Sequence, residues 1–137
     1  MPDDAITRAT QALLRIVAGL LFFCPGALKI LGWFGGLPAG VTLTPLVTTA
    51  GWIELIAGPL LMLGLFTRPV AFICSGEMAV AYFHSHFPQG FWPVKNGGQP
   101  AVLLCFIFLY LSAAGAGPLS VDEWLAKRNA HGPVRPA

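Results

Sequence analysis

Charge is what this sequence most lacks. Eight basic and six acidic side chains make up 10% of its 137 residues, less than half of the roughly 25% carried by a soluble domain. That shortage excludes a well-solvated globular surface. The net charge is only +2 and the basic residues are dispersed, so no stripe exists that would track a phosphate backbone, and nucleic acid is excluded as a partner. Cysteine is scarce too. Cys24, Cys74 and Cys105 fall one to each of three apolar segments, with no CxxC pair and no metal-ligand spacing. A disulfide scaffold, a thiol–disulfide enzyme and a zinc site are therefore not expected, and no haem or iron–sulfur ligand pattern is present. Each cysteine reads as a small buried hydrophobe.

What the chain has instead is long apolar runs, 55% hydrophobic residues and a mean hydropathy of +0.71. These predict an all-α, integral membrane four-helix bundle, a single domain over residues 1–128. Spanning helices are expected at about 11–31, 46–66, 69–86 and 100–116, each near the ~20 residues a bilayer requires. A short amphipathic surface helix at about 121–128 and a disordered tail at 129–137 complete the expectation. No convincing small-residue cleavage site follows the first apolar run, so the first helix is expected to be retained and not removed as a signal peptide.

The centre of the pattern is residues 51–88, two apolar helices joined by Phe66-Thr67-Arg68-Pro69. Each carries a carboxylate near its middle, Glu54 and Glu77. A charge at that depth costs about +2.5 to 3.5 kcal/mol on insertion scales, and such residues usually face the bundle interior, pair and mark function. In the first helix Arg15, Gly19, Phe22, Gly26, Lys29 and Trp33 recur at steps of four and three, which places them on one face. Glycines let helix backbones approach closely in lipid. The glycine-bearing face of the first helix is therefore expected to point inward, and on the second helix Gly51 and Gly58 flank Glu54 on one face by the same spacing. By depth, Arg15 falls near Glu77 and Lys29 near Glu54. Two readings stay open: the four groups ionise as two ion pairs, or one or both acids keep a proton. Lys29, close to a helix end, has the further option of snorkelling to the interface.

Thr67 reads as a helix cap, with Pro69 at the first helical position. Glu77 and His84, seven apart, share a face. His84 and His86, two apart, diverge on a helix, and no metal site is expected. The loops at 33–45 and 87–100 bring Trp33, Phe34, Trp52, Phe91 and Trp92 to one interface, as aromatic belts do. Trp33, Trp52, Phe91, Trp92 and Asn96 are candidates for lining a ligand. Ser120-Val121-Asp122-Glu123 is a capping box that opens the surface helix.

Taken in order, several of these pieces resemble the DoxX family. They are Gly26-x-x-Lys29; Glu54-x-x-x-Gly58 leading to Gly64-Leu65-Phe66-Thr67-Arg68-Pro69; and Glu77-Met78-Ala79-x-Ala81 with His84. Phe91-Trp92-Pro93 with Asn96-Gly97-Gly98, and Gly115-x-Gly117-Pro118-x-Ser120-x-Asp122, extend the likeness over about 14–122. The chain departs from it at Gln99-Pro100, where the resemblance leads one to expect a glutamate. The resemblance implies a four-helix protein of the bacterial inner membrane, in a family named for subunits of quinone-linked oxidoreductases of sulfur metabolism. It carries over no catalytic constellation.

Three functions follow as expectations: a membrane subunit of a redox complex, with quinone as a possible cofactor and other subunits as partners; a non-enzymatic scaffold or assembly factor; or a small transporter or proton conductor. The first would bind quinone near Lys29, Trp52, Glu54 and His84, the second would use the buried charges to specify helix pairing, and the third would use the same two acids; Arg15, Lys29, Glu54, Glu77 and His84 are the buried ionisable candidates. Orientation follows from basic residues. Arg8, Arg68, Lys127, Arg128 and Arg135 would share one side, against Lys95 on the other, which puts both termini in the cytoplasm. Lys95→Cys should accordingly be labelled by a membrane-impermeant thiol reagent on intact cells while Arg128→Cys is protected; the reverse pattern would refute the charge count.

Overall fold

The computed structural model describes residues 3–130 and residue 132, and among these it is mostly helical, with no strand. The elements are α1 (Asp3–Leu31), α2 (Pro45–Leu63), α3 (Thr67–Ala81), a one-turn α4 (Pro93–Asn96), α5 (Gln99–Ala114) and α6 (Val121–Ala130). α1 packs along α2 and α3 along α5, and a thinner contact between α2 and α3 joins the two pairs. Two helices, Asp4–Leu31 and Pro45–Leu63, are long and apolar enough to cross a membrane. α5 has 16 residues, short of the ~20 expected.

Polarity is arranged inside out. Arg15 is wholly buried, while Leu13, Leu21, Ile56, Phe72, Leu103 and Phe106 are exposed. In water such a surface would aggregate; in hydrocarbon it is the solvated one. The buried core between the helix pairs holds Phe22, Leu61, Cys74, Phe108 and Leu111, with Phe22 and Phe108 edge to face at 4.9 Å across α1 and α5.

Glycine sets the α1–α2 approach. A Cβ on Gly26 would stand 2.5 Å from the Leu55 nitrogen, and one on Gly58 would stand 2.6 Å from the Phe23 Cβ. Gly19 and Gly51 are crowded by the facing helix as well. Backbone is thus packed on backbone, and this brings Lys29 of α1 alongside Glu54 of α2.

Helix ends differ from expectation for identifiable reasons. α1 starts at Asp3, eight residues before the expected start at 11, because the polar stretch 3–10 continues the helix beyond its apolar part. α2 stops at Leu63 and not at 66. Gly64 takes a left-handed conformation (φ 69°), and the Gly64 and Leu65 N–H groups return to the Leu61 and Leu60 carbonyls, a Schellman ending.

Thr67 does not cap α3. It is the first residue of that helix and is buried. The cap arrives from far along the chain: the Asp122 carboxylate accepts from the Phe66 and Thr67 N–H groups, both at 2.9 Å. Asp122 is held there by α6, where the Ser120 hydroxyl accepts from the Glu123 N–H at 3.1 Å, as its capping-box spacing leads one to expect. The α helix of α3 ends at Ala81, and a π turn, Tyr82–His86, carries the coil on. α6 runs to Ala130, into the stretch expected to be disordered; of that tail, 131 and 133–137 lie outside the described residues.

Overpacking a tight contact costs about 1–3 kcal/mol, so Gly26→Ala should lower the melting temperature in detergent. Gly76→Ala, on α3 with nothing within 4 Å of the added carbon, should be neutral or slightly stabilising because alanine is the better helix former. Equal effects at the two positions would contradict the packing.

Candidate functional site

The site begins with one face of α3 and its π turn. Ile73, Glu77, Val80 and His84 recur at steps of four and three, so they line one side of the coil. That side looks onto α2 at Thr49, Ile53 and Glu54, and onto Lys29 of α1. Together these residues wall a cavity of about 380 Å³, completed by Leu46, Ala81 and Ser85 among others. The volume falls in the range of small-molecule sites, and an apolar wall with a few convergent polar groups is their usual character.

Lys29 and Glu54 form the ion pair at its base. The ammonium lies 2.8 Å from each Glu54 carboxylate oxygen. Glu54 is only 3% exposed, while the Lys29 side chain is 20% exposed. An ammonium has three N–H groups, so one remains beyond the two that Glu54 engages. Lys29 therefore turns inward and does not snorkel.

Glu77 is in a different condition. Its two carboxylate oxygens are buried and meet no hydrogen-bond donor among the described residues. Glu54 and Lys29 line the same cavity as Glu77. Two ionised carboxylates are both acceptors, so a contact between them is a hydrogen bond only when one of them carries a proton. The cluster thus holds two acids and one cation.

Arg15 does not join it. The expected pairing of Arg15 with Glu77 is overturned, because every guanidinium N–H is taken by a backbone carbonyl. Nε donates to Ala116 at 2.9 Å, Nη1 to Leu61 and Met62 at 2.8 and 2.7 Å, and Nη2 to Pro118 and Leu119 at 3.2 and 2.8 Å. Leu61 and Met62 lie in the last turn of α2, where carbonyls lack helical partners and a cation is favoured. Arg15 is a structural lock between α1, the end of α2 and the 116–119 turn.

His84 sits at the mouth of the cavity. It is exposed, not inside the bundle as expected. His86 faces elsewhere, its Nδ1 3.0 Å from the Asn96 carbonyl oxygen. No group of His, Cys, Asp and Glu among the described residues has metal-binding geometry.

The five candidate ligand-lining residues do not line this cavity. Trp33, Phe91 and Trp92 are exposed and meet neighbouring aromatics edge to face. Asn96 is buried in a loop knot, where its amide donates to the Gly90 carbonyl at 2.7 Å and its Oδ1 accepts from the Gly98 N–H at 2.8 Å. Tyr82 joins that knot by donating to the Phe91 carbonyl. Trp52 lies on an adjoining apolar groove between α2 and α3, which shares Thr49, Ile53 and Ile73 with the cavity. Sequence reasoning missed Thr49 and Ser85 on the cavity wall. The α3 periodicity that links Ile73, Glu77, Val80 and His84 was the available signal for that wall, and no local signal marked Asp122 as a distant cap.

At the opposite end of the molecule Glu123 binds Arg8 at 2.6 Å and Lys127 at 3.2 Å, tying α6 to the start of α1. The hydrogen bond from Lys127, followed by that from Arg8, holds its carboxyl below the usual range.

An all-helical chain with an apolar exterior and ionisable groups gathered inside is a membrane protein. It belongs to the DoxX family, whose model matches residues 10–87, a span that contains Arg15, Lys29, Glu54, Glu77 and His84. An uncharacterized protein of Haemophilus influenzae is 41% identical over 122 residues, covering 85% of this chain and 91% of its own. An uncharacterized membrane protein of Mycobacterium tuberculosis is 26% identical over 134 residues, covering 84% of this chain and 80% of its own. No solved structure matches the chain.

Proposed function

We propose that this protein is a four-span inner-membrane subunit of a redox complex that binds the head group of a quinone in the Lys29–Glu54–Glu77–His84 cavity. The carrying observation is the cavity itself, about 380 Å³ of mostly apolar wall with one ammonium, two carboxyls and an imidazole converging on it. Lys29 keeps an N–H for a quinone carbonyl, and Ile53, Ile73 and Val80 offer flat contact to a ring.

The adjoining α2–α3 groove supports a ligand with a tail. Its walls are Trp52, Ile56, Leu60 and Val70, and it runs on from the cavity through Thr49, Ile53 and Ile73. A head in the cavity and an isoprenoid chain along this groove would allow entry sideways from the bilayer. The four-span reading counts α3 with its π turn, 67–86, and α5 as spans beside α1 and α2. The basic residues place both termini in the cytoplasm and His84 toward the outer face. A scaffold role explains Arg15 well, but it leaves the cavity without a purpose.

Protein purified in mild detergent from native membrane should carry about one isoprenoid quinone per chain by ultraviolet absorbance and mass spectrometry of the extracted lipid. Ile53→Trp, which fills the cavity, should lose it while the helical circular dichroism persists. A preparation free of quinone, or one that the filled variant retains undiminished, would overturn the reading.

A further inference from the structure

The cavity's two acids carry an inference that does not depend on which ligand occupies it. It rests only on the reading of these helices as embedded in lipid, so failure of the quinone assignment would leave it standing.

Glu54 is matched by Lys29, whose ammonium reaches both of its oxygens at 2.8 Å. Glu77 meets no donor at either oxygen among the described residues, and it lines the same cavity as Glu54. The other groups facing the pair do not supply the missing donor. From α1 comes Lys29 alone; from α2 comes Thr49, whose hydroxyl donates to the Pro45 carbonyl at 2.8 Å; from the π turn come Ser85 and His84, the latter about 10 Å along the coil at ~1.5 Å per residue; Cys74 is buried in the core and does not line the cavity. No residue of α5 lines the cavity. An ionised Glu77 would therefore be a desolvated charge against a second carboxylate, an arrangement that costs several kcal/mol per uncompensated ion. A single proton between the two carboxyls removes that charge and lets them join by a hydrogen bond.

We propose that Glu54 and Glu77 hold one proton between them and exchange it through the cavity mouth at His84, which makes the cluster a proton-loading site within the membrane. The step is a transfer between oxygen and nitrogen bases only. The O–H bond at the Glu54–Glu77 pair breaks, the proton passes along water or a ligand hydroxyl in the cavity to one imidazole nitrogen, and the opposite ring nitrogen releases its proton to the aqueous phase. Reloading runs the same bonds in reverse, so no oxidant or reductant is required. Glu77 is the proton carrier and Lys29 the group that holds the remaining charge in place.

Infrared difference spectroscopy of the full-length protein in liposomes reads this directly. The wild type at neutral pH should show a protonated-carboxyl C=O band that shifts in deuterium oxide. Glu77→Gln should abolish the band, because Glu54 then keeps Lys29 to itself. Glu54→Gln should abolish it as well, because Glu77 inherits the ammonium. Lys29→Met, which removes the cation, should strengthen it. His84→Leu should keep the band but slow its deuterium shift. Absence of the band in the wild type would overturn the proposal whatever the variants do. So would its survival in both glutamine variants, and an unchanged exchange rate in His84→Leu would remove the proposed exit route.

Discussion

Two carboxyls and one ammonium gathered on one cavity, inside a protein whose outer surface is hydrocarbon-like, are the constraint from which the rest of this structure can be read. Lys29 and Glu54 are brought together only because Gly26 and Gly51 let α1 and α2 touch backbone to backbone, with a Cβ on Gly51 falling 3.2 Å from the Lys29 Cβ. A larger residue at either place would push the ammonium away from its carboxylate. The pair is then a consequence of close packing, and close packing in lipid is itself a consequence of small residues, since no hydrophobic drive brings helices together there.

The molecule keeps its two kinds of polar group apart. At one end Arg15 spends all five N–H groups on carbonyls, and Asp122 caps α3 through two backbone N–H groups. Both are saturated, and saturated groups hold a fold without doing chemistry. In the cavity, Glu77 is left without a donor and Lys29 with an N–H to spare. Buried polar groups are ordinarily satisfied, and exceptions call for an explanation. Among the described residues the exceptions are the Thr67 hydroxyl, at the α3 start, and both Glu77 oxygens; only Glu77 is ionisable and lines the cavity, and that separates a site from a scaffold within the same chain.

The inward face of α1 and the Lys29–Glu54 pair were legible from the sequence, because they rest on helical spacing and on the cost of charge in lipid, whereas spacing marked the glycines of α1 and α2 without saying that they meet. Arg15 was misread because depth alone suggested Glu77, whereas the end of α2 and the 116–119 turn offered a set of backbone carbonyls that a linear sequence does not display. Asp122 as the cap of α3 was illegible for a related reason: its partner lies 55 residues away. The π turn at Tyr82–His86 leaves no simple periodic mark, yet it sets His84 at the cavity mouth instead of within the bundle. Trp33, Phe91 and Trp92 were nominated for the site by residue type, and their exposed places reflect the general preference of aromatics for an interface.

The central claim is that Lys29 and Glu54 are energetically one unit. A double-mutant cycle with Lys29→Met, Glu54→Gln and the combined variant, read as thermal stability in detergent, measures their coupling directly. The account predicts a coupling of about 1 kcal/mol or more, within the range of about 0.5–3 kcal/mol found for contacting residues, with the double variant recovering part of what each single change loses. Strict additivity would mean that the ammonium contributes nothing to holding the carboxylate, and the reading of the cavity as two acids sharing one cation would be wrong.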